Sequence, residues 1–275
     1  MTRYAVELLL HWVSVGLYVA AFAALAVGVV FGKARAVPWA LWLGAAGLVP
    51  QAAALVLRWI AVGHGPYMLR YEVLSSDAWV AIAVFLAVAA RRRAWASLGL
   101  VVLPLAMLAI GIGLFSNPET RDVPPTLRSV WLVFHIAGAQ AAAAGFLVSL
   151  ASAVLLLAKA RPAAPAWMRR VPETATLDAL TVRSVGLGLI FWTVSIAFGA
   201  VWANESWGRY WGWDPIETWS LVSWIAYGAF LHARLFLKLG PRATAWASIG
   251  AFAIFVLALL ILPFLITSMH SAYFS

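Results

Sequence analysis

The stretch WANESWGRYWGWDPIETWSLVSW, residues 202–224, decides how the second half of the chain is organised. It contains six tryptophans, a tyrosine, an arginine and three carboxylates within an otherwise mostly apolar sequence. Its centre predicts the start of a helix, because Asp214 is a favoured N-cap, Pro215 suits the first helical position and Glu217 can complete a capping box. We therefore predict an aromatic loop that leads directly into a helix, with Asp214 and Glu217 acting first as caps.

The composition around this stretch indicates a polytopic membrane protein. Of 275 residues, 64% are hydrophobic and only 11% are charged, which excludes an ordinary soluble domain. We interpret the net charge of +9 as orienting charge in loops and not as a nucleic-acid surface. The absence of cysteine excludes thiolate catalysis and cysteine-ligated metal within this chain.

We predict an all-α fold with about eight transmembrane helices, since a bilayer core of about 30 Å requires roughly 20 apolar residues per helix. The qualifying runs are 5–31, 37–62, 77–90, 95–115, 130–158, 184–203, 216–237 and 245–267. The third run is short unless it is extended by residues 71–76, and residues 173–183 are compatible with a short surface helix. Helices 1–4 then occupy residues 1–116, and helices 5–8 occupy residues 117–275, with the external loop 202–224 between helices 6 and 7.

Positive charge alternates between successive loops. It is concentrated after helices 1, 3, 5 and 7, at Lys33, Arg35, Arg91, Arg92, Arg93, Lys159, Arg161, Arg169, Arg170, Arg183, Arg234, Lys238 and Arg242. Cytoplasmic loops carry the excess of Lys and Arg in membrane proteins. The pattern therefore predicts that both termini and the 202–224 stretch face outward.

The aromatic residues of the loop favour a flat ligand. An interfacial aromatic belt explains scattered tryptophans, but it does not require the glycines that separate Trp207, Tyr210, Trp211 and Trp213. Gly208 and Gly212 allow a tight backbone that presents rings to a planar apolar ligand, and Arg209 could pair with a ligand carboxylate. A haem, a quinone or a lipid headgroup each fits part of this description.

Five histidines are candidate haem-iron ligands, because neutral imidazole is a common axial ligand. The predicted topology places four of them near the outer face, His11, His64, His135 and His270, and the residues alone do not select a pair. His232 lies 17 positions after Pro215, which corresponds to about 26 Å along a helix axis. If His232 binds haem, it therefore belongs to a second, inner site; the alternative is an interfacial histidine with a structural role.

The segment WGRYWGWDPIETWSLVSWIAYGAFLHAR, residues 207–234, resembles the WWD domain of the haem-handling proteins of cytochrome c maturation. The continuation DPIETWSL and the ending LHAR are similar to the CcsA branch, also called ResC, which is a component of the system II cytochrome c synthase. The resemblance extends from WLVFHI around His135 to SMHSAY at the C-terminus. It is weaker over residues 1–115.

The resemblance implies roles for particular residues. His135 and His270 match the two outer ligands of haem iron, and His232 matches the inner ligand, whose partner histidine comes from another protein, CcsB. The loop residues that would position haem for the reaction are Trp207, Tyr210, Trp211, Trp213 and Asp214. Further haem contacts would come from Trp202, Gly208, Arg209, Gly212, Glu217, Trp219 and Trp224. No role transfers to His11 or His64.

The resemblance also implies an activity. With a CcsB-like membrane partner, the protein would carry haem b from the inner side to the loop and support its thioether attachment to the Cys-x-x-Cys-His motif of apocytochrome c. Thiol-reducing proteins would be indirect partners, and the expected location is a bacterial plasma membrane, in preference to a thylakoid. The alternatives are a CcmC-like haem exporter, which makes no thioether bond, and a quinone- or lipid-binding membrane protein.

Overall fold

Eight α-helices make up most of the part of the chain that the computed structural model describes, residues 3–116, 124–262 and 268–269, and those residues include no β-strand. The helices are α1 Arg3–Val29, α2 Ala36–Val62, α3 Arg70–Arg91, α4 Gly99–Leu114, α5 Val130–Lys159, α6 Thr174–Trp207, α7 Pro215–Leu235 and α8 Pro241–Val256. Short 3-10 segments lie at Arg93–Leu98, Pro125–Arg128 and Ala166–Arg170, and a π-helical turn, Leu257–Ile261, follows α8.

The predicted all-α membrane fold is confirmed. Within the described ranges, seven helical runs are long and apolar enough to cross a membrane. They include α1, α2, α3, α5 and α6 almost in full, α4 together with the 3-10 segment before it, and Pro241–Leu259. The remaining helix, α7, is not among these runs. It has 21 residues and carries polar side chains at Glu217, Ser220 and Ser223.

Helices α3 and α6 extend farthest beyond their predicted segments. Helix α3 begins at Arg70, so it includes residues 71–76 and reaches 22 residues. Helix α6 runs without interruption from Thr174 to Trp207. Residues 174–183 are therefore its first turns and do not form a separate helix, and Trp202–Trp207 is helical. The connection to α7 consists only of residues 208–214.

The helices pack mainly in sequential pairs, α1 with α2, α3 with α4 and α5 with α6. Helix α5 also contacts α3 and α8, and α7 packs against α6 and α8. Phe146, Trp192, Tyr227 and Phe255 form an aromatic core among α5, α6, α7 and α8, in which the rings of Phe146 and Tyr227 stack at 3.7 Å. This core fixes the position of α6 relative to α7, the two helices that the aromatic loop connects.

A buried polar network joins α1, α2 and α3. His11 is fully buried, and its Nε2 lies 2.7 Å from the Ser75 hydroxyl, while the Arg58 Nε donates to Glu72 at 2.8 Å. His64 is also buried, with its Nδ1 2.6 Å from the Gly65 carbonyl. Charges inside a membrane bundle are expensive unless they are paired. His11 and His64 therefore have polar partners within the first 75 residues of the chain.

A smaller cluster connects this half of the chain to α6. Met68, Leu127, Leu132 and Trp202 are buried together, and the Tyr67 ring packs against them. Burial raises the pKa of the Tyr67 phenol above its ordinary value, so the hydroxyl remains a neutral donor, 3.5 Å from the Leu127 carbonyl. The segment before α3 thus supports the end of α6 that carries the tryptophans.

Candidate functional site

An open pocket lies between α5, α6 and α7, at the end of the bundle where residues 208–214 connect α6 to α7. Its lining is mostly apolar and aromatic, with few polar groups: His135, Ala139, Trp192, Ile196, Gly199, Ala200, Trp202, Ala203, Tyr210, Trp211, Ile216, Glu217, Ser220 and Leu259.

His135 is the histidine of the pocket, and Ser195 on α6 fixes its ring. Its Nδ1 lies 2.8 Å from the Ser195 carbonyl oxygen and 3.2 Å from the Ser195 hydroxyl, which itself donates to the His135 carbonyl at 2.7 Å. A carbonyl oxygen can only accept, so we assign the proton of the neutral ring to Nδ1. The lone pair then lies on Nε2, the arrangement of a histidine prepared for metal ligation.

Gly199 makes room for this ring. A Cβ atom at this position would lie 2.7 Å from His135 Nδ1 and 3.0 Å from its Cε1, closer than side chains normally approach. Trp202 lies nearly parallel to the imidazole, with ring centroids 6.2 Å apart. Trp202 is itself fixed, because its Nε1 donates to the Thr126 carbonyl at 2.7 Å and its ring meets the edge of Trp207.

The loop after α6 presents aromatic rings at the mouth of the pocket. Gly208 ends α6 in the left-handed conformation, with φ of 73°, as glycine often does at a helix C-terminus. Trp213 also has a positive φ, 58°, which is uncommon for a bulky residue and tends to occur at functional sites. Tyr210 and Trp213 are 60% and 69% exposed, whereas Trp211 lines the pocket with its ring edge-on to Trp213.

Glu217 determines the shape of this loop. Its Oε2 accepts the backbone N–H of Gly212 at 2.8 Å and that of Asp214 at 3.1 Å. Asp214 in turn accepts the backbone N–H of Ile216 through Oδ1 at 3.0 Å. The predicted capping box is therefore present, and Glu217 has a second role, because it holds the loop and lines the pocket.

Arg209 lies over Gly212, in the space that a side chain at position 212 would fill. Its Nη2 is 3.0 Å from the Met269 sulfur. The backbone N–H of Met269 donates to Asp214 Oδ2 at 2.8 Å. Met269 therefore contacts the loop at two points. His270, predicted as an outer ligand, lies outside the described residues.

The structure does not bring all the predicted residues to the pocket. His232 is exposed near the opposite end of α7, its ring stacked on Phe236 at 4.9 Å. Trp219 and Trp224 lie on α7 but do not line the pocket, and the Trp224 Nε1 donates to the Thr193 hydroxyl at 2.8 Å. His232 is therefore separated from the loop, and its assignment to a distinct haem site stays a prediction.

Sequence reasoning did not identify Ser195, Gly199, Trp192 or Ser220 as pocket residues. Ser195 and Gly199 are four positions apart, so they share one face of α6, but nothing in the sequence reveals that this face meets His135. The Trp192 Nε1 donates to the Ser223 hydroxyl at 3.1 Å, which ties the pocket wall on α6 to α7. These contacts depend on the rotation of each helix about its axis.

The fold and the site define a helical membrane protein with a tryptophan-rich pocket that presents one oriented histidine. The family of cytochrome c assembly proteins matches residues 68–270. A cytochrome c biogenesis protein CcsA from Synechococcus sp. (strain RCC307) is 34% identical over 236 residues, which cover 74% of this chain and 75% of the relative. A CcsA from Prochlorococcus marinus (strain NATL1A) is 31% identical over 252 residues, which cover 79% of each chain. The chain belongs to the CcsA family of cytochrome c assembly proteins.

A solved structure shares the fold. The cytochrome c haem lyase CcmF superimposes with a TM-score of 0.69 at 17% sequence identity. The match covers 100% of this chain and 49% of the CcmF chain, so this chain spans about half of that protein. At this level of identity the likeness concerns the fold alone.

Proposed function

We propose that this protein acts in cytochrome c biogenesis as the haem-handling component of a membrane cytochrome c synthase. It binds haem b as substrate at the pocket below the aromatic loop and supports its attachment to the Cys-x-x-Cys-His motif of apocytochrome c. A CcsB-like membrane protein is its partner. The membership in the CcsA family and the chemistry of the pocket both support this function.

The observation that carries the proposal is the orientation of His135. A histidine that donates from Nδ1 to a carbonyl has the tautomer and the fixed ring that iron ligation through Nε2 requires. The surrounding pocket offers the apolar, aromatic walls that suit a porphyrin. We assign the outer iron to His135 and His270, with Tyr210, Trp211 and Trp213 as the aromatic platform.

No residue of this chain has to form a covalent bond during haem attachment. Each substrate thiol adds across a haem vinyl group, so a carbon–sulfur bond forms, the proton goes to the neighbouring vinyl carbon, and no net oxidation occurs. The histidine of the substrate motif then replaces one protein histidine on the iron. The contribution of the loop is to hold vinyl and thiol in proximity and orientation.

The proposed function also includes an inner haem site at His232. Its ring is exposed near the far end of α7, about 26 Å along the helix axis from Pro215. Helix α7 is anchored there by the ion pair between Arg234 and Asp178. An exposed imidazole at this position can share an iron with a histidine from a partner protein. Haem would be held there before it moves to the loop.

Co-expression with apocytochrome c tests the function. The chain is purified with and without a CcsB-like partner, and its absorption spectrum is recorded, while covalent haem on the cytochrome is detected by haem staining. We expect a Soret band in the complex and stained cytochrome only when both proteins are present. Absence of a Soret band from both preparations would contradict haem binding. A Soret band without attachment, in the presence of partner and reductant, would favour a CcmC-like exporter.

A further inference from the structure

The carboxylate of Asp214 makes two separate contacts with the backbone. Its Oδ1 accepts the N–H of Ile216 at 3.0 Å, which caps α7. Its Oδ2 accepts the N–H of Met269 at 2.8 Å, from a segment 55 residues further along the chain. Asp214 is 7% exposed, so both bonds are largely shielded from water. The two oxygens of one side chain thus join the start of α7 to the C-terminal segment.

Only one of these contacts is needed for capping. Ser, Thr and Asn cap a helix N-terminus about as well as Asp, because one side-chain oxygen is enough. Unlike those side chains, the carboxylate of Asp214 has a second acceptor oxygen in addition to the one that caps the helix. A hydrogen bond to a charged acceptor is among the stronger ones in proteins. The contact with Met269 therefore gives the carboxylate at position 214 a role that a cap alone does not explain.

A second loop residue converges on the same point. Arg209 extends over Gly212, and its guanidinium reaches the Met269 sulfur at 3.0 Å. The backbone of Met269 is therefore held by Asp214, and its side chain is contacted by Arg209. Both anchoring residues belong to the segment that forms the mouth of the pocket.

Met269 is followed directly by His270 in the sequence. Consecutive Cα atoms are about 3.8 Å apart, so the bond to Met269 acts one residue away from the proposed ligand. We infer that Asp214 is a positioning residue for the proposed ligand His270: its Oδ2 holds the peptide of Met269, the residue next to it in the sequence. This inference rests on the proposed function, in which His270 and His135 ligate the outer haem iron.

The substitution Asp214→Asn separates the two contacts. Asparagine keeps an oxygen for the Ile216 N–H and remains a good cap, but its amide group cannot accept the N–H of Met269. In the haem-free protein we expect amide hydrogen exchange in the C-terminal peptide to rise at least about tenfold, the change that a hydrogen bond of about 1.4 kcal/mol produces. Exchange in the first turn of α7 should stay near the wild-type rate. Asp214→Ala, which removes both contacts, should raise exchange in both peptides.

The haem-loaded protein provides the second measurement. We expect Asp214→Asn to lose part of the low-spin bis-imidazole signal in electron paramagnetic resonance, and added imidazole to restore it. Unchanged exchange of the C-terminal peptide would overturn the inference. Faster exchange with an unchanged haem spectrum would also overturn it, while leaving haem binding intact. A wild-type protein without a Soret band would instead show that the proposed function has failed.

Discussion

His135 is held in one orientation by neighbours on α6 that a sequence does not reveal. Ser195 provides the carbonyl that fixes its tautomer, and Gly199 leaves the space that its ring occupies. The Trp202 ring lies nearly parallel to it. Groups that orient a metal ligand are often worth about 10- to 100-fold in metal affinity. Under the proposed function, haem binding therefore depends on residues that do not themselves ligate the iron.

Gly199→Ala tests this dependence. The added methyl would lie 2.7 Å from His135 Nδ1, so the imidazole must move away from Ser195. We expect haem affinity at the pocket to fall about 10- to 100-fold, the range for loss of an orienting contact, as measured by haem titration at the Soret band. The substitution should not destabilise α6 through helix propensity, because alanine favours a helix more than glycine does.

Gly186→Ala is the matched control for this substitution. Gly186 lies on the same helix, and a Cβ atom there meets nothing within 4 Å. It should bind haem as the wild-type protein does. Equal haem affinity in the Gly199 and Gly186 variants would contradict the assignment of His135 as a ligand held by α6.

The residues of the site could be predicted only in part. His135 and the loop tryptophans stood out because histidine and clustered aromatics are informative wherever they occur in an apolar chain. Ser195 and Gly199 did not, because small residues are frequent in membrane helices and their meaning comes from the helix they face. The exposure of His232 likewise depends on the rotation of α7.

At the scale of elements, the start of α7 and the loop before it form one unit. Glu217 accepts two backbone N–H groups of the loop, and Asp214 caps the helix. The loop 208–214 therefore takes its shape from a side chain in the first turn of the following helix. This coupling explains how a short non-helical segment can hold several exposed aromatic rings.

Glu217→Ala should loosen the loop. Two backbone N–H groups lose their acceptor, and each unsatisfied group costs about 1–3 kcal/mol when it is buried. We expect a lower midpoint of thermal unfolding and faster tryptic cleavage after Arg209, measured by mass spectrometry of the fragments. Glu173→Ala is the control, since Glu173 precedes α6 without capping it and is 80% exposed at its side chain. Equal cleavage of the two variants would show that Glu217 does not organise the loop.

Helix α6 shows where prediction of elements from sequence stops. Hydropathy marked residues 184–203, the part apolar enough for a bilayer, but the helix runs from Thr174 to Trp207. Hydrogen bonding continues beyond the apolar part because no proline interrupts it and Gly208 provides the first strong stop. The start of α7, in contrast, was predictable because Asp214, Pro215 and Glu217 specify it locally.

At the scale of the whole molecule, the distribution of Lys and Arg predicts that the aromatic loop faces outward. The natural absence of cysteine makes this easy to test, because any introduced cysteine is the only thiol. We expect Tyr210→Cys to react with a membrane-impermeant maleimide in intact cells, since Tyr210 is 60% exposed. Ala163→Cys, an exposed position between α5 and α6, should react only after permeabilisation. The reverse labelling pattern would contradict the orientation.

The proposed route of haem requires two sites at opposite ends of α7, with the outer one at His135. The most direct test is electron paramagnetic resonance of His135→Gly purified with a CcsB-like partner and loaded with haem, recorded with and without added imidazole. We predict that the variant loses the low-spin bis-imidazole signal of the outer site and that imidazole restores it, because the free ligand can occupy the vacated position. A His135→Gly protein with the wild-type signal and haem content would contradict the assignment of this pocket as the haem site.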